Sequence, residues 1–210
     1  MKRELSVIIF AYFALVLSAQ DVIKVNHEGK KPTISDFAWA YLSSYVYDGN
    51  DESSFNEEIQ RFKQAWILHT QGTTQKKGEY LFIDSKHNHL CFSHDENHIN
   101  TNVEMRFWNE SDKKHKLLAI SVSRFKIPQY TPEQSSDIRF YRYNNDTKEM
   151  TYCGNRPPGI NEKFFKDGCH VTYTMSATGK YKGKDIVATF WEEDGDYRSF
   201  FFKWSGREFH

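Results

Sequence analysis

"VEMRFWNESDKKHKLLAISV", residues 103–122, carries the alternation on which the fold depends. In an extended chain Val103, Met105 and Phe107 fall on one face, and Glu104, Arg106 and Trp108 on the other. "NESDKK" (109–114) supplies turn residues, and "KLLAISV" (116–122) reads as the returning strand of an antiparallel pair. The same period of two runs through "YLFI" (80–83), "LCFS" (90–93), "IRFYRY" (138–143), "VTYTM" (171–175), "DIVATFW" (185–191) and "RSFFFKW" (198–204). Connectors such as "NNDTK" (144–148), "EEDGD" (192–196) and "SGR" (205–207) hold the Asn, Asp and Gly of tight turns.

Ahead of residue 79 the rhythm is helical. "TISDFAWAYLSSYVY" (33–47) offers Thr33 or Ser35 as a cap and places Phe37, Ala40, Tyr41 and Tyr45 on one face. "DGNDES" (48–53) breaks the pattern. Ser54 and Glu57 then form a capping-box pair, followed by Phe55, Ile59, Phe62 and Trp66 at helical spacing. The expected class is α+β: an N-terminal helical hairpin packed on a mainly antiparallel β-meander, as a sheet or a sandwich.

The ends define the organisation. Residues 1–20, "MKRELSVIIFAYFALVLSAQ", have a basic start at Lys2 and Arg3, an apolar run to Leu17 and a small-residue cleavage site at Ser18 and Ala19. That is the pattern of a signal peptide. The apolar run is shorter than the ~20 residues a spanning helix needs, so no transmembrane anchor is expected. Residues 21–32 read as an extended lead-in and 33–210 as a single α+β domain, within the usual ~100–200 residues. The protein is expected to be exported, either periplasmic or secreted.

Lys and Arg together number 28, equal to Asp and Glu, and no basic tract stands out. Nucleic acid and anionic membranes are therefore poor candidates as partners. There are three cysteines. Cys153 and Cys169 bracket a loop rich in Pro and Gly, and a disulfide there would contribute ~3 kcal/mol in the chain-entropy model. Cys91 is then the odd thiol.

"KHNHLCFSHDENH" (86–98) is the densest chemistry in the chain. On a strand His87, His89 and Cys91 share one face at ~7 Å spacing. Imidazole and thiolate suit zinc or copper, with His94 or His98 to complete a set. The competing reading, which is preferred, is a hairpin whose turn is "DSKHNH" (84–89), with the histidines solvated and Cys91 a small apolar strand residue. A second candidate is an aromatic surface. Trp108 and Trp191 each follow an inward Phe, and Tyr141 and Tyr143 share a face; such rings stack on sugars or anchor peptides. Burial against a second layer is the stronger expectation for the same rings. The acids of 192–196 read as turn residues rather than a glycosidase pair. No nucleophile elbow or phosphate loop is present.

The signal ending in "SAQ", "FWNESDKKHKLLAISVS" (107–123) and "IRFYRYNNDTKEMTY" (138–152) resemble small, mostly uncharacterised exported proteins of Bacteroidetes bacteria. The resemblance covers the middle third of the chain. It implies an envelope or secreted setting and brings no known catalytic residues that could be carried over to positions of this chain.

Two functions follow as expectations. The first is an exported non-enzymatic protein that binds a carbohydrate, peptide or protein through an aromatic β-surface. The alternative is a small metalloprotein or metal-dependent hydrolase centred on His87, His89 and Cys91.

Overall fold

The computed structural model describes residues 22–45, 54–73, 75–134, 136–161, 165, 169–175, 185–192 and 196–210. Residues 1–20, read above as a signal peptide, and residues 46–53, which would join the expected helical hairpin, lie outside the described residues. So does the side chain of Ser54, one half of the expected capping box.

Helix α1 (Ile34–Ser44) starts where the sequence offers a cap. Thr33 accepts from the Asp36 backbone N–H, and the Asp36 carboxylate accepts from the Thr33 N–H at 2.7 Å. That reciprocal pair satisfies two donors that the first turn leaves without partners. Helix α2 spans Ser54–Thr70. The apolar faces of both helices are buried: Phe37 and Tyr41 on α1, and Phe55, Ile59, Phe62 and Trp66 on α2.

The strands are β1 (Val22–Lys24), β2 (Glu79–Asp84), β3 (His89–Glu96), β4 (Ile99–Asn109), β5 (His115–Lys126), β6 (Thr131–Pro132), β7 (Asp137–Asn144), β8 (Glu149–Gly154), β9 (His170–Thr174), β10 (Ile186–Trp191) and β11 (Tyr197–Phe202). An eight-stranded antiparallel sheet has the order β1-β8-β7-β5-β4-β3-β2, with β6 paired to β5, and a three-stranded sheet has the order β11-β10-β9. The architecture is thus α+β with a β-meander. The lead-in contributes β1, in which Val22 pairs with Thr151 at the edge of the large sheet.

The alternation of residues 103–108 sorts two cores. Val103, Met105 and Phe107 meet the helices, where Phe37 packs edge-on against Phe107 and Tyr143 at 5.0 Å each and Phe62 stacks on Phe92. Trp108, with Leu117, Ala119, Ile138 and Phe140, faces Tyr173, Ile186, Ala188, Phe190 and Phe202 of the second sheet. Strand β5 is therefore buried on both faces, which explains why "KLLAISV" is almost continuously apolar.

Polar groups lock the layers together. The Asp185 carboxylate accepts from Arg106 Nη2 (3.1 Å), Trp108 Nε1 (3.0 Å) and the Trp204 backbone N–H (2.7 Å). Glu104 accepts from the Met175 N–H at 2.7 Å.

Candidate ligand-binding site

The histidine-rich run forms the β2–β3 hairpin and the start of the next one. His87 lies in the turn, its Nδ1 2.7 Å from Asp84 Oδ2. Asn97 (φ 50°) and His98 (φ 63°) form the two-residue β3–β4 turn, the double left-handed conformation that suits a tight hairpin. His89 departs from the expected solvated state. It is buried beneath the second sheet, with Nε2 3.6 Å from Glu104 Oε1. A covering layer that includes Met175 and Asp185, bonded to the neighbouring Glu104 and Arg106, is the reason, and it is not visible in the local pattern.

Cys91 shares that face, where burial, reinforced by Glu104, pushes its thiol far above the usual range. His94 points the other way, into the helical core. Thus His87, His89 and Cys91 do not converge. Among the described residues the one such ligand-type group is Glu110, Asp112 and His115. Its carboxylates are already engaged by Arg142 and by His115 Nδ1, the latter 2.6 Å from Asp112.

The expected Cys153–Cys169 disulfide is not formed: all three cysteines are free. Cys153 ends β8 on the large sheet, whereas Cys169 packs against the core between the sheets.

The four aromatic candidates do not share a surface. Trp108 is buried between the sheets, and Tyr141 and Tyr143 are buried beneath the helices. Trp191 is half-buried on the outer face of the small sheet, its ring 5.0 Å from that of Tyr197 and its Nε1 donating to Thr172 Oγ1. Tyr197 and Phe201 are exposed there. Of the acids in the 192–196 turn, Glu193 and Asp194 lie outside the described residues.

Three segments build a site that the sequence did not announce. The β1–α1 loop brings His27, Lys30, Lys31 and Pro32. The β4–β5 hairpin brings Asn109, Glu110, Lys113 and Lys116. The end of β7 and its turn bring Tyr143, Asn145 and Lys148. Together they line a cavity of about 530 Å³. Backbone hydrogen bonds fix the segments to one another: Val25 N–H donates to Lys148 O (2.9 Å), and Asn145 N–H to Lys114 O (2.8 Å).

The charge is one-sided. Five lysines line the cavity against one carboxylate, Glu110. Arg142 neutralises that carboxylate through a two-pronged contact, Nε at 2.8 Å and Nη2 at 2.6 Å. Among the described residues no ion pair joins any of the five lysines to a carboxylate. Lys116 is buried. It donates to Asn109 Oδ1 and lies 5.1 Å from the Phe107 ring centroid. Burial, and secondly the charge of Lys31, hold its pKa below the ordinary lysine value.

Tyr143 is fully buried and its hydroxyl has no hydrogen-bond partner. Burial, and then Asp36 nearby, raise its pKa, which keeps it a protonated donor. Lys113 (φ 60°) and Lys148 (φ 58°) both sit in left-handed turn positions, which cost a non-glycine residue about 1–2 kcal/mol. Strain of this kind concentrates at functional sites.

Comparison with family models, curated proteins and solved structures finds no match for the chain. Among the described residues no helix is long and apolar enough to cross a membrane.

Proposed function

We propose that this is an exported, non-enzymatic binding protein, periplasmic or released, that takes an anionic ligand into the lysine-lined cavity. The export reading rests on residues 1–20 and on the resemblance of the middle third to exported proteins. One observation carries the binding reading: five ammonium groups from three segments surround one cavity whose only carboxylate is already paired. Like charges gathered without a counter-charge repel one another, and an anion among them turns that repulsion into attraction. An acidic carbohydrate or an acidic peptide fits this description.

A second reading keeps recognition on an aromatic β-surface, now the outer face of the small sheet. It is favoured by the exposure of Tyr197 and Phe201 beside Trp191. The metalloprotein alternative draws no support from the separated His87, His89 and Cys91.

The test is an array of sulfated, phosphorylated, carboxylated and neutral glycans, probed with the purified protein at low and high salt. Salt-sensitive binding to charged members, lost in a Lys113→Glu/Lys148→Glu variant, is the expected result. Hits on neutral glycans that vanish with Trp191→Ala would transfer the role to the aromatic strip. Binding indifferent to both variants would refute both readings.

A further inference from the structure

We infer that the inner wall of the cavity, with Lys31 at its edge, is a subsite for a tetrahedral oxyanion, the phosphate or sulfate group of an esterified ligand, held by Lys31, Lys116 and Tyr143. This rests on the cavity being the binding site and names the group for which it is built.

Among the described residues, two buried donors in this wall, Tyr143 and Lys116, lack a charged partner, and the exposed Lys31 lies beside them. The Tyr143 hydroxyl is buried and unpartnered, while its ring is fixed edge-on to Phe37, so the hydroxyl is pre-positioned rather than floppy. Lys116 is buried with an amide oxygen and a ring face as neighbours, neither of which neutralises it. Lys31 is near enough to depress the basicity of Lys116. A buried hydroxyl without an acceptor and a buried ammonium without a counter-ion are both costly, and one ligand oxyanion relieves both.

The donor type selects among anions. A planar carboxylate is best matched by the fork of a guanidinium, and no arginine is among the described residues that line this cavity; Arg142, bound to Glu110 through both prongs, lies outside it. What remains are point-like donors approaching from separate segments, which suit an anion with three terminal oxygens. Asp36 is the nearby acid on the helix side, and Thr33 holds its carboxylate. At the rim, Lys113 and Lys148 occupy strained turn positions where glycine would be easier, so the charge there is kept at the expense of backbone comfort. They are placed to meet further negative groups of the same ligand.

The experiment is calorimetric titration of the full protein with inorganic phosphate, sulfate and acetate. Phosphate and sulfate are expected to bind at least about tenfold more tightly than acetate. Tyr143→Phe, which leaves the ring packed, is expected to weaken both by about tenfold or more, as for a hydrogen bond to a charged group. Lys31→Met, at an exposed position, is expected to do the same and covers the case in which the Tyr143 variant folds poorly. With a phosphate monoester such as phenyl phosphate as titrant, affinity that rises between pH 5 and 7 while sulfate affinity stays flat would mark a dianionic ester as the better fit, since the second proton of a monoester leaves near pH ~6. Equal binding of acetate, or indifference to both substitutions, would overturn the subsite. If charged glycans still bind through Lys113 and Lys148 in that event, the cavity stands and only the oxyanion assignment falls. If those are lost as well, both fall.

Discussion

His94 Nε2 lies 2.5 Å from Glu58 Oε2, and both side chains are buried. This pair ties α2 to β3 across a core otherwise made of Phe62, Phe92 and Trp66. Removing one member of a buried ionisable pair strands the other, at a cost of about 3–5 kcal/mol. Glu58→Ala is therefore expected to lower unfolding free energy by about 3 kcal/mol in urea titrations. A loss below about 1 kcal/mol would mean that the contact does not hold the helix.

Asp185 is the corresponding fastener on the opposite face, accepting from Arg106, Trp108 and Trp204. Asp185→Ala removes the carboxylate acceptor of the Trp108 indole N–H and of Arg106 Nη2, while Arg106 Nη1 keeps the backbone oxygens of Met175 and of residue 185. The expected destabilisation is about 2–4 kcal/mol. A change in tryptophan emission should accompany it, because Trp108 and Trp204 both lose a fixed neighbour. Unchanged stability would show that the sheets are held by apolar packing alone.

Lys148→Gly separates stability from binding. Glycine relieves the left-handed strain, worth about 1–2 kcal/mol. It also adds about 0.5–1 kcal/mol of backbone entropy to the unfolded chain. The net expectation is a gain of about 0.5 kcal/mol in thermal unfolding, together with weaker binding of charged glycans. A stabilised variant with undiminished binding would remove Lys148 from the site.

The Asp112 carboxyl is held at about 2, principally by its hydrogen bond to His115. A free Asp titrates near ~3.9. Because the folded value is the lower one, the group stabilises the fold above pH ~4 and loses that contribution as pH falls toward 2. Asp112→Asn should flatten the stability curve across this window. Nuclear magnetic resonance titration of the carboxyl would contradict the account if its midpoint lay near 4.

The thiols give a chemical prediction. Cys153 is pushed up to about 11, mainly by burial, and Cys91 higher still. Cys91 is expected to alkylate slowly with iodoacetamide at pH 8 in the folded protein, and the exposed Cys153 faster than Cys91. After denaturation without reductant, all three cysteines should alkylate. A protected Cys153–Cys169 pair would restore the bridge expected from the sequence.

The helices and the large sheet were legible because their signals are local. Caps, turn residues and the alternation at 103–108 each act within a few positions. Even the two faces of β4 read correctly, since both Phe107 and Trp108 meet a layer. What alternation cannot say is which sheet a strand joins. Burial of Trp108 against a second layer was the stronger expectation and is what the structure shows, but which strands form that layer stayed hidden, and with it the burial of His89.

The cavity was illegible for a different reason. Lys31, Lys116 and Lys148 are far apart in the chain, and only the β1–β8 and β5–β7 pairings gather them. In a net-neutral sequence they cancel against distant acids. A faint signal existed, because "NESDKK" and "NNDTK" are both hairpin turns carrying lysine at the left-handed position where glycine is usual. Tyr143 was singled out for its flat ring, but the ring is core, and the residue lines the cavity with its hydroxyl buried and unpartnered.

The most direct measurement is amide chemical-shift mapping of the isotopically labelled protein during titration with a sulfated or phosphorylated oligosaccharide. The account predicts saturable shifts confined to residues 27–32, 109–116 and 143–148, fading as salt is raised. Shifts centred on 197–201, or none at saturating ligand, would contradict it.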